Sequence, residues 1–280
     1  MTTATLYIVA TPIGNLEDMT YRAVRILGEV DLIAAEDTRH SLKLLSHFGI
    51  SKSMTSYFDH NQQFKGERIL NTLRQGKSVA LISDAGTPCV SDPGYQLVRD
   101  AVAEGIPVIP IPGACAAVAA LSASGLPTDT FTFAGFPPSR QGKRRTFLTE
   151  MSSLPGTLVL YEAPHRLEET LLDIREVLGE RQVVVARELT KIYEELIRGN
   201  VTEVLEAVSR GKVRGEIVIM IPPGEKIPSE TVSLEDTLRR LMQDDLISIK
   251  DAAKKASEIT GVSRSEAYSA ALKLRNSTEL

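Results

Sequence analysis

Apolar residues recur along this chain with two alternating periods. "TLYIVA" (5–10), "DLIAA" (31–35), "MTSYF" (54–58), "SVALIS" (78–83) and "PVIPI" (107–111) are short, nearly continuous apolar runs, and they predict buried strands. Between them lie "TYRAVRILGEV" (20–30), "SLKLLSHFG" (41–49), "GERILNTLRQG" (66–76) and "GYQLVRDAVAEG" (94–105), with the three-to-four spacing of helices; Gly49 is a stop signal. "PGACAAVAALSASG" (112–125) continues the series as a strand-to-helix turn. Strand–helix alternation predicts a mostly parallel sheet over 1–126, with ligands beyond the carboxyl ends of its strands.

A second block alternates less strictly. "TFTFAGF" (130–136), "TLVLYEA" (157–163), "RQVVVARE" (181–188), "EELIRGN" (194–200) and "EIVIMIPP" (216–223) read as strands. "HRLEETLLDIREVLG" (165–179) and "VTEVLEAVSRG" (201–211) read as helices. Some strands follow one another directly, so a second α/β domain with a mixed sheet is expected over 127–224. "PPGEKIPSE" (222–230) has linker composition. Residues 231–280 lack strand runs and predict helices opening at Ser233, Ser248 and Ser263, each with an acid three residues on (Asp236, Asp251, Glu266). "TGVS" (260–263) joins the last two in a helix-turn-helix manner, although Ser257 stands where alanine is usual. A small bundle serving packing or dimerisation is the other reading.

At 280 residues the chain is long enough for two α/β cores. Its formal charge of −4 means that a polyanionic partner needs a local basic patch. Two cysteines, Cys89 and Cys115, lie outside any CxxC, and four histidines show no HExxH spacing, so no disulfide framework or metal site is expected. No apolar run approaches the roughly 20 residues of a membrane span, and the first residues do not read as a signal peptide. The expectation is a cytoplasmic, reduced protein.

The chemistry gathers at the strand ends. "SDAGTPCVSDPG" (83–94) is longer, stiffer and more polar than a turn requires: Gly86 permits close backbone approach, Thr87-Pro88 is rigid, and Asp84 and Asp92 either accept from a ligand or cap turns. Gly113 in "PGACAA" leaves exposed amides, or simply allows close packing. "AEDTRH" (35–40), "YEAPHR" (161–166) and "ARELTK" (186–191) put carboxylates beside arginines, as ion pairs or as acid–base groups. "GFPPSRQGKRR" (135–145) carries Arg140, Lys143, Arg144 and Arg145 without an acid, as a solvated loop or a phosphate contact. In the tail, Lys250, Lys254, Lys255, Arg264, Lys273 and Arg275 outnumber Asp251, Glu258 and Glu266. GxGxxG is absent, and "GKS" (76–78) has Asn71 where a P-loop needs its first glycine, which speaks against nucleotide-triphosphate and dinucleotide sites.

In this order, "TPIGNLEDMT", "AEDTR", "SDAGTPCVSDPG", "PGACAAVAAL", "FAGFPP", "YEAPHR", "ARELTK" and "GEIVIMI" resemble the tetrapyrrole methylase superfamily, from about residue 5 to 222. Within it they are similar to the branch that 2′-O-methylates a cytidine of 16S ribosomal RNA. The resemblance implies two α/β domains of the tetrapyrrole methylase type with a ligand cleft between them, a helical C-terminal extension, S-adenosylmethionine as donor, and a homodimer acting on 16S rRNA or the small subunit. It implies donor contacts from Pro12, Ser83, Asp84, Ala85, Gly86, Val90, Ala114, Cys115, Ala186 and Ile217. A 2′-hydroxyl needs a base or a cation beside it. Glu36, Asp37, Glu188 and His60 are the candidates for acid–base work or orientation. Arg39, Arg166 and Lys191, with Arg140, Lys143, Arg144 and Arg145, are the expected RNA contacts. A tetrapyrrole C-methyltransferase of the same fold is the alternative; the basic segment and the tail favour RNA.

Overall fold

The apolar runs of the first half become five strands: β1 (Leu6–Val9), β2 (Leu32–Ala35), β3 (Met54–Ser56), β4 (Val79–Ile82) and β5 (Val108–Ile111). In this computed structural model, residues 4–58, 62–211, 214–224, 233–242, 248–260 and 262–278 are described. The strands are all parallel in the order β3-β2-β4-β1-β5. β4, with a neighbour on each side and helices on both faces, is buried throughout, which is why "VALI" shows no alternation. Helices α1 (Tyr21–Glu29) and α2 (Thr38–His47) cover one face, with Ile26, Leu27 and Leu45 against Val9, Ile33 and Ile82. Helices α3 (Gln62–Arg74) and α4 (Tyr95–Ala103) cover the other, with Ile69, Leu73 and Leu97 against Leu6, Val79 and Leu81.

Helix α2 starts earlier than its apolar spacing suggests. The Asp37 carboxylate accepts the Arg39 amide at 2.8 Å and caps the helix, extending it over "TRH".

The second sheet has the order β6-β7-β10-β8-β9, built from β6 (Phe131–Phe133), β7 (Thr157–Glu162), β8 (Gln182–Arg187), β9 (Glu195–Asn200) and β10 (Ile217–Ile221). β6 and β7 are parallel and every other pair is antiparallel, so the sheet is mixed as expected. Helices α6 (Gln141–Met151), α7 (Leu167–Leu178) and α8 (Val201–Ser209) close one face, with Leu148, Ile174 and Val204 against Leu160, Val185 and Ile219. The other face is covered by α5 (Ala116–Ser124), which follows β5 of the first sheet. Its Ala117, Ala120 and Leu121 pack on Val184, Ala186, Val218 and Met220. Small side chains let this helix lie close to the sheet. α5 thus leads the chain from the first sheet onto the face of the second, and Met1–Pro223 is one compact unit.

Gly224–Leu280 is a second unit. Its helices are α9 (Leu234–Met242), α10 (Ile249–Thr260) and α11 (Arg264–Thr278), around Leu238, Ala253, Ala256, Ala267 and Ala271. The three expected caps are present: Ser233, Ser248 and Ser263 accept the amides of Asp236, Asp251 and Glu266 at 3.3, 3.2 and 3.2 Å. Ser257 has a local use, since its hydroxyl donates to the Val262 carbonyl at 2.7 Å across the turn. Most of "PPGEKIPSE" lies outside the described residues.

Candidate active site

The loop after β4 is fastened to its neighbours on three sides. Thr11 and Gly86 exchange backbone hydrogen bonds at 2.8 and 3.0 Å, and the Thr11 hydroxyl donates to the Ser83 carbonyl at 3.2 Å. Asp84 Oδ1 accepts the Asp37 amide at 3.0 Å, and the Asp84 amide donates to Glu36 Oε2 at 3.5 Å. Thr87 Oγ1 donates to the Ala114 carbonyl at 3.1 Å. The length and stiffness of "SDAGTPCVSDPG" thus bind the ends of β1, β2, β4 and β5 into one rim. The cost is backbone strain at Cys89 and Ser91, whose φ values are 71° and 63°, while Gly86 and Gly94 take up their 81° and 146° without it. A side chain at Gly94 would run into Leu81 and the Cys89 sulfur, whose own thiol is pushed up by burial and then by Asp92.

This rim forms one wall of a cleft of about 380 Å³, a size suited to one small ligand. The first half contributes Ile13, Glu36 and residues 84–87, 90–92 and 115–116. The second half contributes Phe136, Leu189 and residues 161–164 and 215–218. Among the described residues, the charged groups on this lining are all acidic: Glu36, Asp84, Asp92, Glu162 and Glu216. Such a wall favours a cationic ligand.

Of the expected donor contacts, Asp84, Ala85, Gly86, Val90, Cys115 and Ile217 line the cleft. Pro12, Ser83, Ala114 and Ala186 are not on the lining; Ser83 and Ala186 are buried, Pro12 and Ala114 half-buried. The Ser83 hydroxyl donates to the Ala85 carbonyl at 3.3 Å, the Ala114 carbonyl is taken by Thr87, and Ala186 is fully buried beneath α5.

Of the acid–base candidates, Glu36 is on the wall. Asp37 is a helix cap, held below the usual carboxylate range by hydrogen bonds from Arg39. Glu188 accepts from Lys191 Nζ at 2.8 Å and from the Glu216 amide at 3.2 Å; the Lys191 hydrogen bond, above all, holds it low. Burial works against the Lys191 charge, but Glu188 and Glu216 outweigh it and keep the ammonium protonated. His60 lies outside the described residues.

The basic segment is corrected most. Residues 141–151 form helix α6, and the helical period turns Arg144 inward with Leu148. Arg144 is 1% exposed, and its Nε meets Asp173 Oδ2 at 2.6 Å. Arg145 reaches Asp173 at 2.7 Å and Glu176 at 2.5 Å. Arg166 pairs with the buried Glu162 at 3.3 Å and donates to the Pro137 carbonyl at 2.6 Å. Arg144, Arg145, Arg166 and Lys191 are therefore engaged within the chain, whereas Arg140 and Lys143 are exposed; Arg39 is exposed and paired with Asp37 at 3.2 Å.

The sequence did not single out Tyr161. It is half-buried on the cleft wall, and its hydroxyl accepts the Ala117 amide at 3.2 Å, at the start of α5. Burial first, and Cys115 beside it, push its pKa up to about 12, so it stays a neutral phenol. Phe136, Leu189 and Glu216 were also missed, although "FAGFPP", "ARELTK" and "GEIVIMI" contain them at strand ends.

A family model described as "Tetrapyrrole (Corrin/Porphyrin) Methylases" matches residues 5–205. The protein named ribosomal RNA small subunit methyltransferase I of Halalkalibacterium halodurans is 47% identical over 269 residues, 94% of this chain and 93% of that one. Its namesake in Escherichia coli O157:H7 is 49% identical over 272 residues, 95% and 94% of the two chains.

The chain belongs to the tetrapyrrole methylase family.

Within that family it groups with the ribosomal RNA small subunit methyltransferases I. A second model, "RsmI C-terminal HTH domain", matches 228–275, which favours the helix-turn-helix reading of the tail despite Ser257. Solved structures of the same fold include a cobalt precorrin-4 methyltransferase (TM-score 0.60, 18% identity, 78% of this chain and 94% of that one). Another is the uroporphyrin-III C-methyltransferase of Thermus thermophilus complexed with S-adenosylhomocysteine (0.54, 20%, 81% and 99%). Among the described residues no helix is long and apolar enough to cross a membrane.

Proposed function

We propose that this chain transfers a methyl group from S-adenosylmethionine to the 2′-hydroxyl of a cytidine ribose in 16S ribosomal RNA. The observation that carries the reading is near-full-length identity of 43% to 49% with proteins named ribosomal RNA small subunit methyltransferase I. The cleft supports it: an acid-only lining suits a sulfonium, while Ile13, Val90, Leu189 and Ile217 offer apolar surface to a purine. When bound, the donor supplies an activated methyl carbon.

In this reading Asp84 holds the donor with its carboxylate and Gly86 with the backbone of their loop. Asp37 and Glu188, both held ionised by their partners, are weak proton acceptors and act by orientation. Of the three described candidates, Glu36, on the wall, takes the proton of the 2′-hydroxyl. Lys191, held between Glu188 and Glu216, supplies fixed positive charge for a developing alkoxide. The same reading carries a homodimeric, cytoplasmic enzyme bound to 16S rRNA or the small subunit, divided at 1–126, 127–224 and 231–280.

The test is a transfer assay with tritiated S-adenosylmethionine, offering small subunits, naked 16S rRNA and a porphyrinogen in parallel. The expected product is label at one cytidine that resists alkaline cleavage. Label in the tetrapyrrole alone would overturn the acceptor. A second prediction follows from the reassigned cations. Replacing Arg140 and Lys143 together with alanine should flatten the slope of log affinity against log salt by about 1.4 to 1.8, the effect of two lost phosphate contacts. Filter binding to 16S rRNA across a salt series checks this, and an unchanged slope removes both residues from the interface.

A further inference from the structure

Phe136 lines the cleft and is 55% exposed, an uncommon state for a large ring on a rigid wall. The loop that carries it is fixed from several sides. The Tyr161 amide donates to the Gly135 carbonyl at 2.9 Å, and the Ala134 amide to the Val159 carbonyl at 3.0 Å. Arg166 Nη2 donates to the Pro137 carbonyl at 2.6 Å, and Arg144 Nη1 to the Ser139 carbonyl at 3.2 Å. Pro137 and Pro138 stiffen the backbone further. Two arginines that look like RNA contacts in the sequence thus act on the carbonyls of this loop.

The ring itself is braced. Tyr161 meets Phe136 edge-on, with centroids 5.6 Å apart at 63°, and meets Phe133 on its other flank at 4.8 Å and 65°. Three rings run from β6 to the cleft, the middle one pinned by the Ala117 amide. Four and seven residues beyond Phe136, the exposed Arg140 and Lys143 follow on the same segment. A preorganised aromatic face followed by exposed cations is the combination that grips an unstacked base and its flanking phosphates.

We propose that Phe136 is the stacking platform for the base of the acceptor nucleotide, so that the cleft receives a nucleotide turned out of its helix. This rests on the RNA reading above. Arg144 and Arg166 are then positioning residues that hold the platform through Ser139 and Pro137.

The experiment compares the full chain with Phe136→Ala, Phe136→Leu and Phe136→Trp. Calorimetry gives the affinity for S-adenosylmethionine, and methyl transfer to small subunits gives kcat and KM for RNA. Phe136→Ala and Phe136→Leu should lower kcat/KM for RNA by about tenfold to hundredfold, the range set by one lost base–aromatic stack. Donor affinity should stay within about twofold, and Phe136→Trp should recover most of the activity. Donor affinity falling in parallel would seat the ring on the donor and overturn the proposal. Full activity in Phe136→Leu would reduce the ring to apolar cover, with the same consequence. Wild-type protein that labels no RNA overturns the RNA reading itself, and this proposal with it.

Discussion

Replacing Asp84 with alanine should weaken S-adenosylmethionine binding by about a hundredfold while the chain stays folded. The Asp84 carboxylate does two things: it faces the cleft, and it accepts the Asp37 amide at 3.0 Å, tying the loop after β2 to the loop after β4. Removing it deletes a charged acceptor and unfastens the rim that holds Glu36. A lost hydrogen bond to a charged group costs about 1.5–3 kcal/mol, or roughly 10- to 150-fold in affinity. The core beneath is untouched, since β4 is buried by Leu81 and Ile82 rather than by Asp84. Gly86→Val should do the same by another route. Its φ of +81° disfavours any side chain, and a Cβ there already meets Ile13 at 3.4 Å. Calorimetric titration decides: near-wild-type affinity in either variant moves the donor off this loop.

Asp173→Asn should lower the stability of the two-sheet unit by about 3–5 kcal/mol, because it takes from the buried Arg144 its buried counter-charge and leaves it only the solvent-exposed Glu169 at 3.5 Å. Asp173 is fully buried and holds Arg144, Arg145 and Gln141 at once, at 2.6, 2.7 and 3.3 Å. The Tm should fall by roughly 6–20 °C, read by calorimetry. Glu176→Ala is the contrast: that carboxylate lies in solvent and Arg145, about a third exposed, keeps its bond to Asp173, so removing the carboxylate should cost about 1 kcal/mol or less. Acid should act at the same place. Burial pushes the Asp173 carboxyl up, but its hydrogen bonds from Arg145 and Arg144 outweigh burial and hold it below the ordinary 3.8. Its contribution is therefore complete above about pH 4 and is lost as the pH falls through the lowered value. An Asp173→Asn chain as stable as wild type would show that the pair is dispensable.

How far the sequence could be read depends on what each pattern encodes. Continuous runs such as "VALI" and the 3.6-residue spacing of "RAVRIL" report burial directly, and their strands and helices formed where expected. The glycine- and aspartate-rich loops sat at strand ends, so much of the cleft was legible as a set of loops. What was not legible was which side of each loop faces the ligand. Ser83 and Ala186 stand at the right strand ends but are buried, and Pro12 and Ala114, though half-buried, are not on the cleft lining. "SRQGKRR" misled because charge was weighed without period. Arg144 and Leu148 are one helical turn apart, and the acid that answers Arg144 stands 29 residues on, in α7. Tyr161 and Phe136 were missed because a ring at a strand end reads as core until the opposite wall is known.

The position of α5 also bears on how the protein is made. Ala117 packs on Met220, roughly 100 residues further along the chain. At about 5–20 residues per second, a ribosome releases α5 some 5–20 seconds before the strand that covers it. During that wait the first sheet can close, but one face of α5 has nothing to lie against. A face built from Ala117 and Ala120 with Leu121 as its one large apolar side chain exposes less apolar area to passing chains than a leucine-rich face would. The small side chains that fit the finished sheet thus also limit the apolar surface left open while the chain is being made.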